Sequence, residues 1–168
     1  LETMAGLKPA FDKDGVVTAA TSSPLTDGAA AVIVCSEDYA NKNSLEILAY
    51  IRGMAISGCS PEIMGIGPVL SSQKALKRAG IKLEDVDIIE MNEAFAAQSL
   101  ACVKELGVEM SKLNIHGGAI SMGHPLGASG ARITGKAASL LKETGKRYAL
   151  STMCVGGGQG CATVLERA

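Results

Sequence analysis

The chain has no tryptophan and only three tyrosines and two phenylalanines in 168 residues. Without large rings, its interior must be filled by Ala, Val, Ile, Leu and Gly, the composition of a tightly packed α/β protein. An excess of charge is also absent. The formal net charge is -1, so nothing points towards nucleic acid or an anionic membrane surface. No apolar run is long enough to span a bilayer, and no segment has a signal-peptide pattern. The five cysteines (35, 59, 102, 154 and 161) are odd in number and form no close metal-ligand pair. They predict a reducing, cytoplasmic setting (or, in a eukaryote, a mitochondrial or peroxisomal matrix), with no metal and no disulfide scaffold. An initiator methionine is lacking too, since the chain starts Leu1-Glu2-Thr3, and it is expected to be a piece of something longer. What is present is 47% hydrophobic residues and 20 glycines. That is enough to bury a proper core and argues against disorder.

Periodicity and punctuation suggest the elements. Residues 1–20 read as loop, with a turn at Lys13-Asp14-Gly15. The β-branched end of Ala29–Cys35 reads as a buried strand, or a helix leading into one. Glu37–Asn43 reads as a connection or short helix at a boundary between two units, 1–43 and 44–168. Ile47–Ser57 reads as a strand with a bulge at Gly53. Gly58–Pro68 reads as loop, and Ser71 as the cap of a helix stopping at Gly80. Val86–Met91 is the next predicted strand, followed by a helix with Phe95, Ser99, Cys102, Val103 and Leu106 on one face. Ser129 reads as the N-cap of a helix over about 129–143. Tyr148–Cys154 and Cys161–Leu165 read as the last two strands, antiparallel across a glycine-rich reversal. The sum is a mixed β-sheet with helices packed on it.

In open α/β sheets ligands bind beyond the carboxyl ends of strands. Asn92 follows one predicted strand, Cys154 ends another, and His124 sits between them on a stiff Gly123-His124-Pro125 loop. An imidazole that titrates near neutrality, a thiol and an amide meeting in one pocket suit acyl chemistry. The glycines after Cys154 leave backbone N–H groups available for an oxyanion. Each feature alone has a plainer explanation: a histidine capping a turn, a packed cysteine, an asparagine cap. The glycine run is no phosphate loop, because it lacks the Gly-Lys-Ser/Thr ending and precedes a strand.

Together these residues carry a resemblance. Asn92-Glu93-Ala94-Phe95-Ala96, Gly123-His124-Pro125-Leu126-Gly127 and Cys154-Val155-Gly156-Gly157-Gly158 resemble, in order and spacing, three signature blocks of the thiolases. Thr18–Gly28 resembles a further block, although Pro24 stands where many thiolases have Gly. The resemblance covers essentially the whole chain, as the carboxyl-terminal portion of a thiolase fold. It implies a strand and helix of an amino-terminal domain in 1–43 and the carboxyl-terminal domain in 44–168.

Thiolases condense two acyl-CoA molecules to a 3-ketoacyl-CoA, or cleave one with free CoA, through an acyl-cysteine. The resemblance implies that His124 activates the nucleophilic cysteine and helps form one oxyanion hole, with Asn92 holding its water. Cys154 would exchange a proton with the acetyl-CoA methyl group or the leaving group, and the Gly156 N–H would lie in the second hole. Ser23, Met64, Ala94 and Phe95 match positions lining the pantetheine and acyl tunnel. His116 is expected to make a structural hydrogen bond. Coenzyme A thioesters would be substrates, with no cofactor. The block carrying the acylated cysteine is absent, so an amino-terminal thiolase half is the implied partner, and homo- or hetero-oligomers are expected. A non-catalytic CoA-binding or assembly subunit is the alternative from another class. A ketoacyl synthase fits poorly, because such enzymes place His or Asn where this chain has Cys154.

Overall fold

The computed structural model describes residues 1–168. Its frame is a four-stranded sheet in the order β1-β4-β3-β2. The strands are β1 (Ala49–Gly58), β2 (Ile88–Met91), β3 (Tyr148–Val155) and β4 (Gln159–Arg167). β2 and β3 run parallel, and β4 is antiparallel to both β3 and β1. The short Gly156–Gly158 turn can only reverse the chain, which makes β3–β4 a hairpin. The predicted bulge is present, since the β1–β4 register shifts between Ile51 and Gly53.

Three helices cover the sheet. α3 (Gly67–Ala79) and α4 (Ala96–Leu106) lie over a core of Ala75, Leu76, Val86, Ile89, Met91, Cys102, Leu150 and Val164. On the opposite face α6 (Leu126–Thr144) sets Ala137, Leu140 and Leu141 against Ile88, Ala149 and Leu165. The alternation of Ile88 and Ile89 between the two faces follows from the strand's two-residue period. These side chains are small and aliphatic, as a chain without tryptophan requires, and most are at most 2% exposed. The remaining helices are short: α1 (Glu2–Ala5), α2 (Glu37–Lys42) and α5 (Ala119–Met122).

Four expectations fail here. Ala29–Cys35 forms neither strand nor helix, and Ile33 and Val34 are 82% and 70% exposed. A strand needs a neighbour for its N–H and C=O groups, and no other strand of this chain pairs with it. α3 begins a turn before Ser71, with Pro68 at its start, where a residue without an N–H loses nothing. The Ser71 hydroxyl instead donates back to the Gly67 and Pro68 carbonyls. α6 likewise begins three residues before Ser129, with Pro125 at its N-cap. Within residues 1–20, α1 and a 3-10 turn at Ala19–Thr21 replace part of the expected loop.

Candidate active site

Three segments meet at the carboxyl ends of β2 and β3. The Asn92 N–H donates to the Thr152 carbonyl at 3.0 Å, so the chain leaves β2 still held to β3, two residues before Cys154. From this fully buried position the Asn92 Nδ2 lies 3.3 Å from His124 Nε2. The other ring nitrogen, Nδ1, lies 2.6 Å from Ser129 Oγ, and that hydroxyl donates to the Pro125 carbonyl at 3.1 Å. His124 is therefore held through both ring nitrogens.

The loop carrying His124 is fixed from two sides. Its N–H donates to Thr26 Oγ1 at 3.2 Å, and that hydroxyl donates to the Pro24 carbonyl at 2.8 Å. Gly123 has φ of 101°, and a Cβ there would overlap the Thr26 side chain. Only glycine satisfies both conditions. On the other side Glu93 accepts from Asn114 Nδ2 at 2.7 Å and from the Ile120 N–H at 3.1 Å. The absent Cβ of Gly118 leaves room for its carboxylate. Asn114 also pairs with both the N–H and the C=O of Met91, each at 2.9 Å. Its amide thus continues the edge of β2 as a neighbouring strand would.

Cys154 ends β3 and is 5% exposed. Burial pushes its thiol up to about 11, with a further push from the nearby Cys102, Cys161 and Cys59. It is a neutral thiol at pH 7. His124 moves the other way: burial, then the charge of Arg132, lowers its pKa and keeps the imidazole neutral. Gly156 lies in the exposed turn after Cys154, where even a Cβ would meet nothing within 4 Å.

Of the tunnel candidates, Ser23 sits against Ala94, whose carbonyl accepts from both the Ser23 N–H (3.0 Å) and its hydroxyl (3.2 Å). Phe95 bridges to Ser22 and meets Phe11 edge-on, with ring centroids 6.2 Å apart. Met64 joins neither Asn92 nor His124. It lies half-buried in the 3-10 turn Pro61–Ile66, and its carbonyl faces Cys59 Sγ at 4.0 Å. The Cys59 N–H in turn donates to the Gly158 carbonyl at 2.7 Å. His116 is exposed and takes a 2.7 Å hydrogen bond from Lys136.

Sequence reasoning missed Ser129, Thr26, Glu93 and Glu90. Hydroxyls near helix starts look like caps, and nothing local marks one as a histidine's partner. Glu90 is 1% exposed in β2, with Oε1 unpartnered. Burial raises its pKa to about 7, against the opposing pull of Arg132 and Lys136. A carboxyl that binds its proton more tightly folded than unfolded stabilises the fold fully at low pH. That contribution is lost as pH rises from about 4.5 to about 7. Glu90→Gln should therefore gain about 3 kcal/mol relative to the parent between pH 4 and pH 8. Urea midpoints measured across that range test this, and a pH-independent difference between the two chains would contradict it.

Comparison with known proteins gives one consistent answer. The family model described as the thiolase C-terminal domain matches residues 45–167, and that of the thiolase N-terminal domain matches residues 1–38. A 3-ketoacyl-CoA thiolase of Vibrio parahaemolyticus is 56% identical over 171 residues, which cover 99% of this chain and 44% of that protein. Human mitochondrial 3-ketoacyl-CoA thiolase, solved in complex with CoA, superposes with a TM-score of 0.97 at 49% identity. The match covers 99% of this chain and 42% of that one. The Bacillus anthracis acetyl-CoA acetyltransferase superposes at 0.96 with 46% identity and the same coverage. This chain spans less than half the length of the relatives it matches.

Proposed function

Because the chain belongs to the thiolase family, we propose that it supplies the acid–base and oxyanion-binding half of a thiolase site. The acylated cysteine would come from an amino-terminal half, and the substrates would be acyl-CoA and free CoA. The observation that carries this is the Asn92–His124 pair, 3.3 Å apart, on the loops that leave β2 and enter α6, with the buried thiol of Cys154 ending the neighbouring strand β3.

In condensation, the Cys154 thiolate takes a proton from the methyl group of acetyl-CoA. The carbanion attacks the acyl-cysteine carbonyl; a C–C bond forms, the C–S bond breaks, and the nucleophile leaves as thiolate. Negative charge rests on the thioester oxygen of the enolate, where donors held in place lower the barrier most. A water held by Asn92, and the imidazole once protonated at Nε2, would provide such donors. The Gly156 N–H would serve the tetrahedral intermediate. In the reverse direction the neutral Cys154 thiol returns the proton to the departing carbanion. A thiol near 11 makes a stronger base than an ordinary one when ionised, at the cost of being ionised rarely.

The residue spans 1–43 and 44–168 would then be the end of one thiolase domain and the whole of the next. The exposed Ile33, Val34 and Ile56, each at least 70% accessible, would be covered by that other half or by a second subunit.

The test is cleavage of acetoacetyl-CoA by free CoA, with this chain alone and then with the amino-terminal half of a relative. We expect no turnover alone and turnover on recombination. Turnover by the lone chain would place the acylated cysteine among the five present, and no turnover by any combination would favour a non-catalytic binding role.

A further inference from the structure

We infer that Ser129 is the positioning residue that fixes neutral His124 as its Nδ1–H tautomer, presenting the Nε2 lone pair to the reacting groups. This rests on His124 being the acid–base group proposed above. It follows from counting protons around the ring. Ser129 is fully buried on the first turns of α6, and its hydroxyl has one hydrogen. The Pro125 carbonyl, 3.1 Å away, only accepts, and the hydroxyl joins the Ala128 and Ser129 N–H groups in donating to it, which directs that hydrogen away from the ring. Ser129 Oγ then has only lone pairs to offer His124 Nδ1 at 2.6 Å, and Nδ1 must carry the proton.

The opposite side of the ring gives the same answer. An amide nitrogen only donates, so with Asn92 Nδ2 facing the ring at 3.3 Å, Nε2 is the acceptor, while Asn92 Oδ1 is buried without a hydrogen-bond partner. The Thr26 hydroxyl and the Gly123 backbone hold the loop that carries the ring, so the imidazole cannot turn over without breaking both bonds. The charged group bearing on the ring is Arg132, which, with burial, disfavours a second proton. Free imidazole prefers the other tautomer, so the arrangement reverses the intrinsic bias at a site where the Nε2 lone pair is needed.

The chain has two histidines, so histidine-selective 15N labelling of the full chain gives two rings. A His116→Asn variant assigns them. Two-bond 15N–1H correlation above the His124 midpoint should show the Nδ1–H form. Ser129→Ala should move the population towards Nε2–H, and Asn92→Asp, which places an acceptor against Nε2, should do so more completely. In the recombined enzyme Ser129→Ala should lower kcat by about 10–100-fold with little change in KM. An Nε2–H ring in the parent chain, or an unchanged Nδ1–H ring in Ser129→Ala, would overturn the inference. The parent spectrum decides the matter even if a variant fails to fold. Turnover does not enter the spectrum, so a thiolase role could fail while the tautomer stands, and the reverse.

Discussion

Cys154→Ser should reduce acetoacetyl-CoA cleavage by the recombined enzyme by about 10²–10⁴-fold, the range expected when a positioned acid–base group is lost. Serine keeps the size and one proton, and the position is 5% exposed at the end of β3, so folding should be little affected. What changes is acidity. The buried thiol sits at about 11, and a hydroxyl in the same place lies several units higher, out of reach as a base near neutrality. In cleavage the acyl-enzyme forms only as the C–C bond breaks, and Cys154 is the group proposed to return the proton to the departing carbanion, so acylation of the other half's cysteine by acetoacetyl-CoA should fall together with turnover. Loss of the acyl-enzyme burst from acetoacetyl-CoA is therefore the expected signature. A burst that survives while turnover is lost would mean that Cys154 acts in the later transfer to CoA rather than on the carbanion. The pH profile gives a second check. Alkylation of Cys154 in the lone chain should speed up with pH without levelling off below about 11, because burial opposes its thiolate throughout that range.

Much of the candidate site was legible because the residues proposed for its chemistry sit on short, stiff, glycine-rich loops whose spacing is a property of the sequence. Asn92 at the end of β2, His124 between Gly123 and Pro125, and Cys154 ahead of three glycines needed no tertiary knowledge to be singled out. The strands β1, β3 and β4, the bulge near Gly53 and the hairpin were legible for the same reason. What failed depended on partners distant in sequence. The pattern of Ala29–Cys35 is that of a strand, but pairing is not a local property, and in this chain the segment meets no neighbour. Ser71 and Ser129 both look like N-caps, yet each helix starts earlier at a proline. Their hydroxyls are then free for other uses: a carbonyl of the same helix for Ser71, an imidazole for Ser129. Glu93 and Thr26 act across 27 and 98 positions of chain, separations at which a single sequence carries no signal. Glu90 looked like one polar residue in a strand, and its burial follows only from the way α6 lies over β2.

Gly160→Ala should be the most damaging single methyl in the chain, costing about 3 kcal/mol or more. Gly160 lies opposite Cys154 in the β3–β4 ladder. A Cβ there would overlap the Gly67 carbonyl, carbon and Cα, and a Cβ on Gly67 would overlap Gln159 and Gly160 in return. The atoms in the way are backbone at the start of α3, so relief requires moving a helix off the sheet rather than turning a side chain. That helix supplies Ala75 and Leu76 to the larger core. A loss of this size is a large fraction of what an ordinary domain has to spare. Gly127→Ala is the contrasting case. It sits in the first turn of α6, where a Cβ meets nothing within 4 Å, and it should stabilise the chain by about 0.5–1 kcal/mol through helix propensity. Urea unfolding of the parent and both variants under one condition measures the pair. If Gly160→Ala unfolds at the parent's midpoint, the tight seating of α3 on the hairpin is wrong, and with it the packing that holds Cys154 in place.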